Sequence, residues 1–208
     1  MNIARLALDA VTCERGARRL FAPLSLQLHA GEWVHLQGEN GVGKTTLLRT
    51  VCGLTPAASG SVLWQGQPIA QVRSALQSEL LYLGHSLALK ADLSPLENLQ
   101  VDAQLRGHPT GTPQILDALA ELGLNSLAHL PLRVLSQGQQ RRVALARLVL
   151  SRAALWVLDE PWVALDAKSM QALTQRLDAH VQAGGSLLFT SHQPAALTSA
   201  GQIVSLQR

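Results

Sequence analysis

Two hydrophobic periods alternate along the chain, and the switches between them outline its elements. Ile3 to Val11 and Leu20 to Leu28 alternate apolar and polar like half-buried strands; the polar segment Cys13-Glu14-Arg15-Gly16-Ala17-Arg18 between them predicts a turn and an antiparallel pair. Trp33 to Leu36 is an apolar, strand-like run, and a leucine-rich segment from Lys44 to about Cys52 has helical character, with Gly53 as its stop. Ser61 to Trp64 and Gln67 to Ile69 read as short strands about Gln65-Gly66, and Leu80 to Leu83 as a third. From Ser94 to His129 leucine and alanine recur at helical spacing, broken by Gly107-His108-Pro109 and Gly111-Thr112-Pro113. A second strand-helix series follows. A helix opens at Leu135-Ser136-Gln137-Gly138-Gln139, Leu155 to Leu158 is a buried strand, and a helix spans about Lys168 to Gln182. Strands at Leu187 to Thr190 and Gln202 to Leu206 close the pattern. Strand and helix in alternation predict an α/β protein with a mostly parallel core sheet, an antiparallel β part and, over about 86–135, an inserted helical part.

Composition narrows the classes without naming one. A chain of 208 residues with 47% hydrophobic content buries a full core. Its longest apolar runs are far too short to cross a bilayer, and Arg5 and Asp9 interrupt any apolar stretch after Met1, so neither a span nor a signal peptide is expected. The expected location is therefore the cytosol. A net charge of +3 with 3% aromatic residues does not point to nucleic acid, since no basic run or stacking platform accompanies it. Cys13 and Cys52 have neither metal-ligand nor disulfide-framework spacing, and Cys52 fits a small buried thiol.

The candidate chemistry begins at Gly38-Glu39-Asn40-Gly41-Val42-Gly43-Lys44-Thr45, between the strand and the helix. This is the spacing of a phosphate-binding loop. Its glycines let backbone N–H groups converge on one anion, and the positive end of the helix opening at Lys44, Thr45 and Thr46 faces the same point. Lys44 supplies a mobile cation for β- and γ-phosphates, and the Thr45 hydroxyl is placed to ligate Mg²⁺. Farther on, Ser136 and Gln139 have the spacing of a capping box, and Asp159-Glu160 follows a buried strand.

Phosphate loop, Leu-Ser-Gln-Gly-Gln, Leu-Trp-Val-Leu-Asp-Glu, Ala164-Leu165-Asp166 and an isolated His192 after a strand occur in that order. In this the chain resembles the nucleotide-binding domain of ATP-binding-cassette (ABC) proteins over essentially its whole length. The resemblance implies an ATPase with ATP and Mg²⁺ as cofactors. It assigns Asp159 to the magnesium shell with Thr45, Glu160 to orienting or deprotonating the attacking water, and His192 to the γ-phosphate. Ser136, Gly138 and Gln139 match the signature loop, which in the family faces the nucleotide of an opposing copy, and Asp166 matches the loop joining the two sites. A head-to-tail dimer docked on integral membrane subunits is implied.

The chain departs from the family pattern at three places. Gln137 replaces the first glycine of the signature pair, so no φ above zero is expected there. His85 stands where a glutamine normally links Mg²⁺ and water to the membrane partner. No aromatic residue stands where adenine is stacked, and Arg15 is the positional candidate, its guanidinium plane able to stack on a base. Within the family, Leu81-Tyr82-Leu83-Gly84-His85, Leu96-Glu97-Asn98-Leu99, Gly60 to Gly66 and Ser191-His192-Gln193 resemble the ATPase subunits of bacterial cytochrome c maturation systems. This implies a peripheral protein on the cytoplasmic face of the inner membrane, powering haem export. An ABC ATPase subunit for another small-molecule or peptide cargo is the alternative. Direct haem binding is not expected, since His85, Cys13 and Cys52 form no attachment pattern such as Cys-x-x-Cys-His.

Overall fold

The structure is a computed structural model that describes residues 3–192 and 196–207, so Gln193 of the Ser191-His192-Gln193 run lies outside the described residues. The strands are β1 (Leu6–Thr12), β2 (Glu14–Arg15), β3 (Arg18–Arg19), β4 (Leu24–Leu28), β5 (Trp33–Gln37), β6 (Ser59–Trp64), β7 (Gln67–Pro68), β8 (Leu80–Leu83), β9 (Leu155–Asp159), β10 (Ser186–Thr190) and β11 (Gly201–Ser205). The helices are α1 (Lys44–Val51), α2 (Arg73–Glu79), α3 (Pro95–Leu105), α4 (Thr112–Glu121), α5 (Gln137–Leu150) and α6 (Ala167–Gln182).

The chain divides into two compact units. The first holds Met1–His85, Ala153–Pro161 and Leu173–Arg208, and among the described residues contains two large sheets beside the small β2-β3 pair. One large sheet is antiparallel, in the order β4-β1-β6-β7; the other has the order β11-β5-β10-β9-β8 and is parallel at every pairing. A strand buried on both faces of a parallel sheet reads as a continuous apolar run, and β9 and β10 are buried at every residue. Leu36, Leu47, Leu48, Val157 and Leu188 join Phe21 in one core cluster, so the strand that feeds the phosphate loop and the helix that leaves it are fixed by the same packing.

The second unit holds Ser86–Arg152 and Trp162–Ala172. Leu99 of α3, Ile115 and Leu119 of α4 and Val143 and Ala146 of α5 form its core. Arg147 is 7% exposed; its guanidinium donates to the carbonyls of Leu87 (3.0 Å) and Ala88 (2.9 Å), and its Nε lies 3.3 Å from Asp102. A buried cation is tolerated only with such partners.

Several expectations shift. Cys13 is buried, 1% exposed, and the polar segment that follows it forms a two-stranded ribbon of β2 and β3 about its turn. Leu20 and Phe21 are core residues that precede β4 without being part of it, because Pro23 cannot donate to a ladder. Gly111-Thr112-Pro113 starts α4 rather than breaking a helix: proline in the first turn loses no intrahelical bond. Leu76 is the only buried residue of α2, which leaves no periodic stripe by which to read that helix.

Candidate functional site

The phosphate loop takes its shape from glycines that other residues could not replace. Gly38 has φ +147° and a Cβ there would lie 2.9 Å from Val42 and 3.0 Å from the Leu206 carbonyl. Gly43, the residue before α1, has φ +115°, and a Cβ would press at 3.0 Å on both Leu20 and Phe21. Because Gly43 has no side chain, no internal cap bonds the first amides of α1, which stay available to an anion. Lys44 donates from Nζ to the carbonyls of Gly38 (2.6 Å) and Glu39 (3.3 Å), folding back over the loop.

Parallel strands bring the acidic residues to the same end of the sheet. Asp159 is the last residue of β9 and faces Thr190, the last of β10, in register. Its Oδ2 accepts from Thr45 Oγ1 and its Oδ1 from Thr190 Oγ1, each at 2.7 Å. Thr190 Oγ1 also accepts from the Glu160 amide at 3.0 Å. Glu160 sits at φ +50°, a backbone region that costs a side-chain-bearing residue energy and aims it away from the strand direction. Its carboxylate meets His192, which donates from its amide to Oε2 at 3.3 Å and places Nε2 3.5 Å from Oε1.

A cleft of about 220 Å³ collects these groups. Its walls are Arg15, Glu39, Asn40, Gly41, Gly43, Lys44, Thr45, Thr46, His85, Asp159, Glu160 and His192. Arg15 and Gly41 also border a smaller neighbouring cavity with Arg18 and Leu20. Gly38 and the buried Val42 shape the loop from behind. Ser136, Gly138 and Gln139 lie in the second unit, at the start of α5, where the capping box is formed. Gln137 is the first residue of that helix and so has no need of positive φ. Asp166 Oδ1 accepts from the Ser169 amide at 2.7 Å, the bond of an N-cap for α6, and this bond holds its carboxyl below the ordinary range.

Two contributors escaped the sequence. Thr190 bridges Asp159 and the Glu160 amide, and its only signal was a hydroxyl at the end of an apolar strand. His35 is 1% exposed inside β5; its Nε2 lies 3.0 Å from the Ser191 carbonyl, and burial pulls its imidazole below the ordinary histidine value. Burial pushes the thiols of Cys13 and Cys52 up, which leaves them protonated and unreactive.

Among the described residues no group of three or more His, Cys, Asp or Glu side chains could hold a metal. Thr45 and Asp159 are adjacent oxygen donors, and Thr45 gives its proton to Asp159, leaving its own lone pairs for a cation. That sparse set fits Mg²⁺, which is commonly held by one or two protein oxygens plus substrate phosphates and water, and it does not fit an all-protein cage.

A phosphate loop at the carboxyl end of a parallel sheet, facing an aspartate, a glutamate and a histidine at or just beyond the ends of β9 and β10, defines a P-loop nucleoside triphosphatase. The family model for ABC transporters matches residues 21–163, and the chain belongs to that family and is an ATPase. It is 50% identical over 190 residues to the cytochrome c biogenesis ATP-binding export protein CcmA of Escherichia coli O157:H7, covering 91% of this chain and 89% of that protein. Among solved structures, an ABC transporter ATP-binding protein from Pyrococcus furiosus superposes with TM-score 0.82 at 26% identity, over 95% of this chain and 96% of that one. A dimeric, post-hydrolysis ATP-binding cassette bound to ADP and Pi shares the fold, with TM-score 0.82 at 23% identity over 97% of this chain and 94% of that one.

Proposed function

We propose that this chain is the ATP-hydrolysing subunit of a membrane transporter that powers haem export for c-type cytochrome biogenesis. It works as a head-to-tail pair on the cytoplasmic side of integral membrane subunits. The support for the cargo is the half-identity with CcmA along nearly the whole chain. Among the described residues no helix is long and apolar enough to cross a membrane, in keeping with a peripheral subunit. The observation that carries the hydrolytic reading is the Glu160–His192 pair beside Lys44 in one cleft.

The chemistry follows from the side chains. Loop amides and the open end of α1 bind the phosphates, and Lys44 exchanges its carbonyl partners for phosphate oxygens. Thr45 and Asp159 would hold Mg²⁺, which when bound neutralises charge on the β- and γ-phosphates. Glu160 takes the proton of the attacking water, and the backbone bond to Thr190 keeps its carboxylate at the γ side. His192, already bonded to Glu160, steadies the water and the γ-phosphate from the other flank. His85 also lines the cleft, and its imidazole can hydrogen-bond water in the role a glutamine has elsewhere in the family. Arg15 stacks on the base. Ser136, Gly138 and Gln139 of the second copy close over the γ-phosphate, and Asp166 links the two sites.

Glu160→Gln tests the reading, since it keeps the hydrogen-bonding shape and removes the base. The expected result is retained ATP binding, hydrolysis reduced by about 100-fold or more, co-purification with membrane subunits, and loss of mature c-type cytochromes in cells carrying only the variant. Normal cytochrome c maturation in those cells would sink the cargo assignment. Undiminished hydrolysis would sink the role of Glu160.

A further inference from the structure

We propose that His35 is a positioning residue for His192, tying the strand that feeds the phosphate loop to the segment that presents the histidine to the cleft. The proposal rests on the ATPase reading above.

A packed parallel strand has no need of an imidazole. Val34 and Leu36, on either side of His35, are fully buried, and an apolar residue would fill the same place without the cost of taking polar atoms out of water. What the imidazole adds is direction. The ladder between β5 and β10 pairs Phe189 with His35 and ends at Thr190 with Leu36. Accordingly the ring stacks on Phe189, with centroids 4.6 Å apart and planes inclined by 15°. From that stack Nε2 reaches beyond the last ladder pair to the carbonyl of Ser191 at 3.0 Å.

The tautomer follows from the partners. A carbonyl only accepts, so Nε2 carries the proton, and Nδ1 is then an acceptor. The amide Nε2 of Gln37 lies 3.4 Å from Nδ1 and donates to it. Gln37 is the last residue of β5 and the next residue is Gly38 of the phosphate loop. One imidazole therefore holds Gln37 on one edge and Ser191 on the other. Ser191 is joined by a peptide bond to His192, whose own amide and ring meet Glu160. Because His192 is 59% exposed, it relies on its backbone for its aim. His35 carries the order of the sheet past the end of the ladder to that backbone.

The experiment is steady-state ATP hydrolysis by the full chain, with single and paired substitutions. His35→Leu removes the donor and keeps the bulk. It is expected to lower kcat about tenfold while KM for ATP stays within about twofold, the mark of an interaction that matters in the transition state. His35→Gln, whose amide can donate to the Ser191 carbonyl, is expected to return kcat to within about threefold of the parent. In a His192→Ala background, His35→Leu is expected to add no further loss, because the group it positions is gone. If His35→Leu does not fold, His35→Met, unbranched and of similar reach but with no donor, takes its place. Unchanged kcat, a raised KM with kcat intact, or an additive loss in the His192→Ala background would each overturn the proposal. Full activity of His192→Ala would remove it together with the role given to His192. A parent chain without ATPase activity would instead overturn the enzyme assignment.

Discussion

Two helix N-termini of this protein, those of α1 and α5, are built in opposite ways. The start of α1 follows a glycine and has no side-chain cap, so its first amides find no partner within the chain's own cap. The start of α5 is closed on itself: Ser136 Oγ accepts from the Gln139 amide at 3.3 Å, and the Gln139 side chain accepts from the Ser136 amide at 2.8 Å. A terminus designed around its own ligand leaves its donors open. A terminus that meets its ligand only when a second copy arrives needs a cap in the meantime, and on the proposed pairing that is the situation of α5. On that proposal, the difference separates binding from assembly along the chain.

The harshest way to break the comparison is to close the open end. Gly43→Ala places a methyl group 3.0 Å from Leu20 and Phe21 at a backbone φ of +115°. We expect a loss of about 2–4 kcal/mol in the unfolding free energy, measured by chemical denaturation, together with loss of ATP binding measured by nucleotide fluorescence. A variant that kept its stability and its ATP would show that the loop has another way to form.

How far these termini could be read in advance differed as well. The phosphate loop was legible because its residues are contiguous and its purpose is local: strand, glycines, lysine, helix. The capping box of α5 was legible for the same reason, since Ser136 and Gln139 are three apart. Asp159 and Glu160 stood out at the end of an apolar run. What stayed hidden were groups whose meaning depends on which strands are neighbours. His35 and Ser191 are 156 positions apart and meet only because β5 lies beside β10. Thr190 and Asp159 are joined only because β9 lies on its other side. Residue order says little about strand order in a parallel sheet, where each connection crosses over. The short α2 was missed for a different reason, having one buried residue and no side-chain cap.

Acid supplies a milder test, directed at the first unit alone. His180 of α6 stacks on Trp156 of β9 with ring centroids 3.8 Å apart, and its Nε2 lies 3.3 Å from the Ser186 carbonyl. Burial pulls its imidazole down to about 4. The folded state thus holds the ring neutral, while the unfolded chain takes up a proton near the ordinary value of about 6.5. The contribution is complete above about pH 6.5 and declines as pH falls through the window to about 4, then levels off. Because the ring stays partly wetted, the loss is on the order of 2 kcal/mol. Chemical denaturation at stepped pH is expected to show this slope, and His180→Phe, which keeps the stack, to flatten it.

The smallest change in stability bears most directly on the closed end. Ser136→Ala deletes the oxygen that accepts from the Gln139 amide and is expected to cost about 1 kcal/mol. Ser136→Asp restores a cap of similar quality, since a carboxylate at that position bonds the same amide and suits the positive end of the helix. Stability should therefore distinguish the two variants by about that same 1 kcal/mol. Assembly should not distinguish them. If Ser136 also meets the γ-phosphate of a second copy, alanine removes the hydroxyl and aspartate sets a negative charge against a negative ligand. Both should abolish the ATP-driven dimer of a Glu160→Gln chain, measured by light scattering, while leaving single-chain nucleotide affinity unchanged. A dimer that survived Ser136→Asp would mean that the start of α5 is a helix cap and nothing more, and that the open end of α1 binds its nucleotide without a partner.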